Sequence, residues 1–144
     1  AAWLGESSLR EFLINFCRTF IYTTALPIHS LLHINFAYLF LINSPERIKD
    51  LHLKISYFKA QINNYNIKGL LPSDSPIQSI ILPGNRLVSN VAKILNTNGF
   101  EVRAIMHPSV QEGLERIRIC IHSFNSKDEI DSLLKNLKNV LKKI

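Results

Sequence analysis

The stretch ERIRICIHSFNSKDEIDSLL, residues 115–134, decides the fold of this chain. In its first half, isoleucine at every second position from 117 to 121 alternates with arginine, cysteine and histidine. This period of two predicts a strand with one face in a core. In its second half, Ser126 and Glu129 have the spacing of a capping box, which predicts the start of a helix. The stretch therefore predicts a half-buried strand followed at once by an amphipathic helix.

The residues before this stretch complete a small layered unit. SPIQSIILPG (75–84) and FEVRAIMHP (100–108) are predicted as strands, with a helix from Asn85 to Asn98 between them and Gly99 as its C′ residue. On that helix we expect four side chains to point inward: Leu87, Val91, Ile94 and Leu95. From Pro76 the predicted order is strand–helix–strand–strand–helix, which is typical of a small α+β layer.

The N-terminal third is more ambiguous. Ala1–Leu4 has the character of a short strand, and Ser8-Leu-Arg-Glu11 has the spacing of a capping box for a helix over 9–18. FIYTTALP (20–27) is apolar and β-branched, which predicts an extended segment that ends at Pro27. The chain begins within an apolar run without an initiator methionine, so we interpret it as part of a longer polypeptide.

Two further helices are predicted in the middle of the chain. One runs from Ile28 to Asn43, and the next begins at Ser44-Pro45, an N-cap followed by proline, and runs to Asn64. Residues 63–76 are polar and rich in turn formers, which predicts a surface loop. The helix over 28–43 carries more apolar side chains than 144 residues can easily cover, so we expect it to promote self-association. Those side chains are Leu31, Leu32, Phe36, Leu39 and Phe40.

Composition limits the class of protein. The chain has 144 residues, is 47% hydrophobic and 19% charged, and is therefore expected to fold as a compact chain. The net charge is +6, but the lysines are dispersed, and the densest group lies at a predicted helix C-terminus, where cations are favourable. We expect no nucleic-acid partner. Two distant cysteines in no metal or redox spacing indicate a reducing, cytoplasmic setting.

The uncharged run over 19–45 is long enough to cross a bilayer. Pro27, His29, His33 and Asn35 interrupt it, and such polar groups are costly in lipid, so we expect a segment covered by protein and no membrane partner. His29 and His33 share a helix face, but no carboxylate or thiol accompanies them at ligand spacing. We expect no metal site, because zinc needs three or four ligands.

Two features suggest anion binding, each with a plainer alternative. Thr23 and Thr24 precede a predicted helix, where hydroxyls and free amides suit a phosphate, although helix capping or strand propensity explains them as well. Arg116 and Arg118 share one face of the predicted strand. That face is either solvated, or it presents a guanidinium that grips a carboxylate at two points. Residue physics alone favours the plainer alternative in both cases.

Three stretches in this order resemble the α-oxoamine synthase family, pyridoxal-phosphate (PLP) acyltransferases of the aspartate-aminotransferase fold. The sequence over 1–27 is similar to the segment that follows the cofactor lysine, SPIQSIILPG to the opening of the C-terminal domain, and residues 102–134 to the final strands and helix. The resemblance implies an α/β fold of that type. In it, residues 1–44 would end the large PLP-binding domain, and residues 45–144 would form an α+β small domain with an antiparallel sheet.

The resemblance also implies a reaction and a site. The most similar members condense L-alanine with pimeloyl-CoA in biotin biosynthesis and act as homodimers. By resemblance, Arg118 grips the amino-acid carboxylate and Ser109 contacts substrate, while Thr23 and Thr24 reach the PLP phosphate of the neighbouring subunit. Met106 stands where related synthases often carry arginine, which leaves the acyl specificity open.

The catalytic lysine of the family would lie upstream of Ala1, so the resemblance places no catalytic residue in this chain. Lys49, Lys54 and Lys59 lie on the polar side of one predicted helix and are not expected to replace it. We therefore expect the 144-residue chain alone to be inactive and not to bind PLP covalently. Two alternatives stay open. One is another α-oxoamine synthase, such as a 2-amino-3-ketobutyrate ligase or a serine palmitoyltransferase, and the other is a non-catalytic interaction domain.

Overall fold

The computed structural model describes residues 5–142, so the strand predicted for Ala1–Leu4 lies outside the described residues. The chain divides into two compact units between Ile42 and Asn43. The first unit contains α1 (Ser7–Phe16), α2 (Arg18–Ile21) and α3 (Ile28–Ile42). The second unit contains α4 (Pro45–Asn64), β1 (Ile77–Ile81), α5 (Asn85–Thr97), β2 (Val102–Ile105), β3 (Arg116–Cys120) and α6 (Lys127–Leu141).

The first unit corrects two predictions. The helix predicted over 9–18 is present as α1, but its N-cap is Glu6, so Ser8 lies inside the first turn and the predicted capping box does not form. The segment after it is not extended throughout, because the Cys17 carbonyl accepts the amides of Phe20 and Ile21 at 2.9 Å and starts the short helix α2. Strand propensity needs a neighbouring strand to take effect. No strand of residues 5–42 is available to pair with this segment.

Helix α3 begins at Ile28 as predicted and ends at Ile42, and none of its residues is buried. The five apolar side chains singled out from the sequence are between 45% and 63% exposed. Within residues 5–142, no helix combines the length and the apolar character that a membrane span requires.

The second unit has the predicted element order from β1 onward. Its sheet has the order β1-β3-β2, and both pairs are antiparallel. The alternating segment RIRIC therefore forms the central strand, β3. A bridge from Leu70 to Ile80 extends the β1 edge, and Gly69 holds a φ of +87° that brings its carbonyl to the Ile81 amide at 2.8 Å.

One face of the sheet forms the core together with the helices. The buried side chains on that face are Ile80, Val102, Ile117 and Ile119, and the helices contribute Phe58, Leu95, Leu134 and Leu137. On α5 the buried positions are Val88, Val91, Ala92 and Leu95, which follow the i, i+3, i+4, i+7 spacing of one helix face. The prediction that Ile94 points inward is wrong, because it is off this stripe and is 41% exposed.

The helix that follows β3 starts as predicted. The Glu129 amide donates to Ser126 Oγ at 3.1 Å, and the Ser126 amide donates to Glu129 Oε2 at 2.8 Å, so the capping box is complete. On α4, Pro45 occupies the predicted position at the helix start, but the Ser44 side chain makes no cap hydrogen bond. Tyr57 of α4 donates to Asp131 of α6 at 2.6 Å and ties these two helices together.

Candidate substrate-binding site

The register of the sheet separates the two arginines of β3. Arg118 lies between Ser79 of β1 and Arg103 of β2. Arg116 lies two residues earlier on β3, between Ile81 and Ile105. Ile117 between them and Ile119 after them belong to the core face, so the predicted alternation is confirmed and both arginines lie on the opposite face.

The surroundings of the two guanidinium groups differ. Arg116 Nε donates to the Leu114 carbonyl at 2.9 Å, so the chain itself satisfies this Nε. Arg118 is half-buried, and its Nε is buried without a hydrogen-bond partner. A buried donor without an acceptor is unfavourable. A carboxylate that bonded to Nε and to one terminal nitrogen would satisfy it at two points.

Arg118 lines an open cavity of about 500 Å³ at the end of the sheet. Phe100, Ile119 and Leu133 contribute apolar surface to this cavity, and Arg103 contributes a second cation. The ring of His122, also in the lining, stacks on Phe124 with centroids 4.8 Å apart. A cationic end beside an apolar wall suits a small carboxylate with an aliphatic part.

The acidic group at the α6 end of the cavity already has partners. Glu129 accepts the Ser126 amide in the capping box, and this hydrogen bond, with a further one from Asn125, lowers the pKa of its carboxyl group. The carboxylate therefore belongs to the helix start and does not neutralise Arg118.

Glu115, which was not among the site residues predicted from the sequence, fixes two loops next to β3. Glu115 is only 2% exposed, and its Oε2 accepts the amides of Gly84 at 2.9 Å and Gly113 at 3.0 Å. The Gly84 amide is the main cause that lowers the pKa of this carboxyl group. Glu115 has the same parity as the core isoleucines at 117, 119 and 121. A charged residue on the buried face of a strand indicates that its side chain is paired within the fold, and this was the signal in the sequence that could have identified Glu115.

Asn85 fixes the loop that carries Ser109. The His107 amide donates to Asn85 Oδ1 at 3.0 Å, and Asn85 Nδ2 donates to the His107 carbonyl at 3.3 Å. The peptide bond between His107 and Pro108 is cis. The sequence shows that a proline is present at this turn, but it does not show that the Asn85 side chain, distant in sequence, holds the residue before it.

Ser109 itself is exposed and is not among the residues that line the Arg118 cavity. The structure therefore does not bring these two sequence-predicted residues into one cavity. Met106, which is 38% exposed, lines a separate shallow depression with Asn85 and Arg86.

Thr23 and Thr24 belong to the first unit, in the segment between α2 and α3, and both are exposed. The Thr23 hydroxyl donates to the Thr19 carbonyl. The first hydrogen bonds of α3 run from the amides of Ser30 and Leu31 to Pro27. The threonines therefore precede the first turn of α3 by several residues. Among residues 5–142, no group of three or more potential metal ligands is found, at His29 and His33 or elsewhere.

No family model matches the chain. Among curated proteins, the 8-amino-7-oxononanoate synthase of Saccharophagus degradans is 35% identical over 141 residues, which is 97% of this chain and 35% of that protein. The enzyme of the same name from Emericella nidulans is 34% identical over 143 residues, 94% of this chain and 34% of that protein. This chain is homologous to 8-amino-7-oxononanoate synthases. It spans about a third of the length of these relatives.

Solved structures agree with this assignment. The 8-amino-7-oxononanoate synthase of Francisella tularensis superposes with a TM-score of 0.78 at 27% identity, over 96% of this chain and 40% of that chain. A serine palmitoyltransferase from S. paucimobilis, solved with a bound PLP–myriocin adduct, gives a TM-score of 0.80 over 92% of this chain and 34% of that one, at 17% identity, which shows the fold alone. The resemblance and fold predicted from the sequence are confirmed: the chain has the fold of the C-terminal portion of these PLP enzymes.

Proposed function

We propose that this chain is the C-terminal portion of an 8-amino-7-oxononanoate synthase, here called the parent protein. The parent protein would be a PLP-dependent acyltransferase that condenses L-alanine with pimeloyl-CoA and releases coenzyme A and carbon dioxide, acting as a homodimer in the cytoplasm. Homology to named synthases over more than nine-tenths of the chain supports the reaction class.

The observation that carries the proposal is Arg118. Its Nε is buried and unpartnered, and the residue lines a cavity large enough for an amino acid. In the proposed reaction, Arg118 binds the α-carboxylate of L-alanine by a two-point contact and thereby orients the amino acid. Ser109 is proposed as a further substrate contact from the adjacent loop.

The residues available for the cofactor are Thr23 and Thr24. Their exposed position and hydroxyl chemistry fit a phosphate group, and the Thr23 hydroxyl would exchange the Thr19 carbonyl for a phosphate oxygen. PLP supplies an electron sink for carbanion chemistry at the substrate α-carbon, while the protein orients its reacting groups. We propose that these threonines hold the phosphate in the neighbouring subunit.

The domain assignment follows from the same proposal. Residues 1–44 would end the large PLP-binding domain, and residues 45–144 would form the small domain. The cofactor lysine would precede Ala1. Lys59 does not substitute for it, because its Nζ is paired with Asp74 Oδ1 at 2.6 Å.

The proposal is tested by substitution of the two arginines in the parent protein. Arg118→Lys keeps the charge but loses the planar fork, so we expect KM for L-alanine to rise about tenfold or more, since hydrogen bonds to charged groups contribute about 1.5–3 kcal/mol. Arg116→Ala is the matched control, with little change expected. A larger effect from Arg116→Ala than from Arg118→Lys would mean that the wrong arginine has been assigned.

Substrate choice is tested in the same assay. L-alanine, glycine and L-serine are each offered with a panel of acyl-CoA thioesters, and coenzyme A release is measured. A preference for L-serine with a long acyl chain would instead support a serine palmitoyltransferase activity, the alternative suggested by fold similarity. Release with none of these pairs would favour a non-catalytic interaction domain. We expect the 144-residue chain without its N-terminal portion to be inactive in all of them.

A further inference from the structure

The outer face of the sheet places two arginines directly opposite each other. Arg103 on β2 and Arg118 on β3 are register partners. Like charges in directly opposed positions of an antiparallel pair are unfavourable. Ser79, on the other side of Arg118, offers no compensating charge. The cross-strand partners of Arg118 therefore bring no negative charge to it.

The ion pair that Arg103 makes is weak and easily exchanged. Its Nη2 lies 3.1 Å from Glu101 Oε1, and the two side chains are 66% and 82% exposed. Exposed pairs of this kind contribute little to stability. Breaking the Arg103–Glu101 pair therefore costs little free energy, and Arg103 can instead bind a carboxylate ligand.

Both arginines line the same cavity, and the Nε of Arg118 is buried without a hydrogen-bond partner. A single carboxylate between the two guanidinium groups would satisfy Arg118 Nε and relieve the repulsion between the opposed charges. Arg116 is on the same face but is excluded from this role, because its Nε is bonded to the Leu114 carbonyl and it does not line the cavity.

We propose that Arg103 is a second cationic group for the carboxylate held by Arg118, and that it acts as an affinity-determining residue. The identity of the carboxylate as an amino acid rests on the proposed function, while the anion site itself rests on the two arginines. Glu101 competes with the ligand for Arg103 and thereby lowers the affinity of the site.

The test uses the full 144-residue chain labelled with ¹⁵N-arginine. The Nε–H resonance of Arg118 is followed by NMR during titration with L-alanine or acetate at fixed ionic strength, with methylammonium as the control that lacks a carboxylate. We expect a saturable shift with both carboxylates. In Arg103→Gln, the Kd should rise about threefold to tenfold, as expected for one charge near a partly exposed site.

A purely structural role for Arg103 is separated from binding by the Glu101 variant. Glu101→Gln releases Arg103, so the Kd should fall about twofold, and this gain should vanish in the Glu101→Gln/Arg103→Gln double variant. Added salt should also weaken carboxylate binding more in the wild type than in Arg103→Gln, because the wild type has one more charge to screen. Arg116→Gln is the matched control with the wild-type Kd, and thermal unfolding confirms that each variant is folded.

The outcomes distinguish the two proposals. A saturable shift that is unchanged in Arg103→Gln overturns the role of Arg103 and leaves that of Arg118 intact. The absence of any carboxylate-dependent shift in the wild type contradicts both, including the carboxylate role of Arg118 in the proposed function.

Discussion

At the scale of single residues, the difference between Arg116 and Arg118 depends on one hydrogen bond. Both have the same residue type, the same strand and the same face. The Leu114 carbonyl satisfies the Nε of Arg116, and no acceptor reaches the Nε of Arg118. The sequence pattern showed that the two share a face, but it could not show which of them lacks a partner.

Glu115 gives a prediction at the same scale. Hydrogen bonds from Gly84 and Gly113 hold the pKa of its carboxyl group below the ordinary value, so the ionised form is favoured in the folded state. This contribution is fully present above the ordinary glutamate pKa of about 4.3 and is lost as the pH falls through the lower folded pKa. Glu115→Gln should therefore lower the free energy of unfolding at neutral pH and flatten its decline in acid.

The measurement is urea unfolding at a series of pH values from neutral to strongly acidic. Glu112→Gln, an exposed position in the same loop, is the matched control and should leave the profile unchanged. Some decline remains in Glu115→Gln, because the pKa of Glu129 is also lowered by its capping contacts. An acid profile identical to that of the wild type would show that the Glu115 contacts contribute nothing to stability.

At the scale of elements, the two capping-box sequences had different outcomes. Ser126 and Glu129 form both reciprocal hydrogen bonds at the start of α6. Ser8 and Glu11 have the same spacing, but α1 begins earlier and Ser8 is not its N-cap. The capping-box spacing is the same in both segments, so it does not by itself fix where a helix begins.

This difference predicts the effects of two alanine substitutions. Ser126→Ala removes the acceptor for the Glu129 amide and should lower the free energy of unfolding by about 1 kcal/mol. Ser8→Ala removes no cap contact and improves helix propensity slightly, so it should be neutral. Urea unfolding followed by circular dichroism measures both, and equal losses in the two variants would contradict the assigned helix starts.

At the scale of the whole molecule, the two units differ in how much apolar surface they cover. The second unit encloses a contiguous core around its sheet. In the first unit no helix has a buried residue, although α3 is apolar along nearly its whole length. A patch of that kind is typical of a surface that another protein segment covers.

We therefore expect the 144-residue chain to self-associate as its concentration rises, as the sequence analysis predicted. Phe36→Glu places a charge on α3 and should reduce the association. Leu53→Glu, on α4 at a position that is 60% exposed, is the matched control and should leave the association unchanged. Sedimentation velocity over a concentration series measures the effect, and a monodisperse wild-type monomer at every concentration would contradict the prediction.

The sequence by itself determined the element order of the second unit and the face on which each strand residue lies. It could do so because a period of two, a helical apolar stripe and a capping box are local properties that each segment carries. It was wrong about α2, because the strand propensity of that segment had no partner strand. It was wrong about Ile94, because the face of α5 that is buried depends on what the helix packs against.

Only the tertiary structure decided which polar and charged groups lie next to each other. The pairing of Arg103 with Arg118, the buried acceptor role of Glu115 and the clamp of Asn85 on His107 join residues from different elements. Hydrogen bonds and charge pairs act over a few ångströms, so their partners are fixed by strand register and loop packing rather than by spacing along the chain. For the same reason, the candidate carboxylate site became visible only when β2 and β3 were in place.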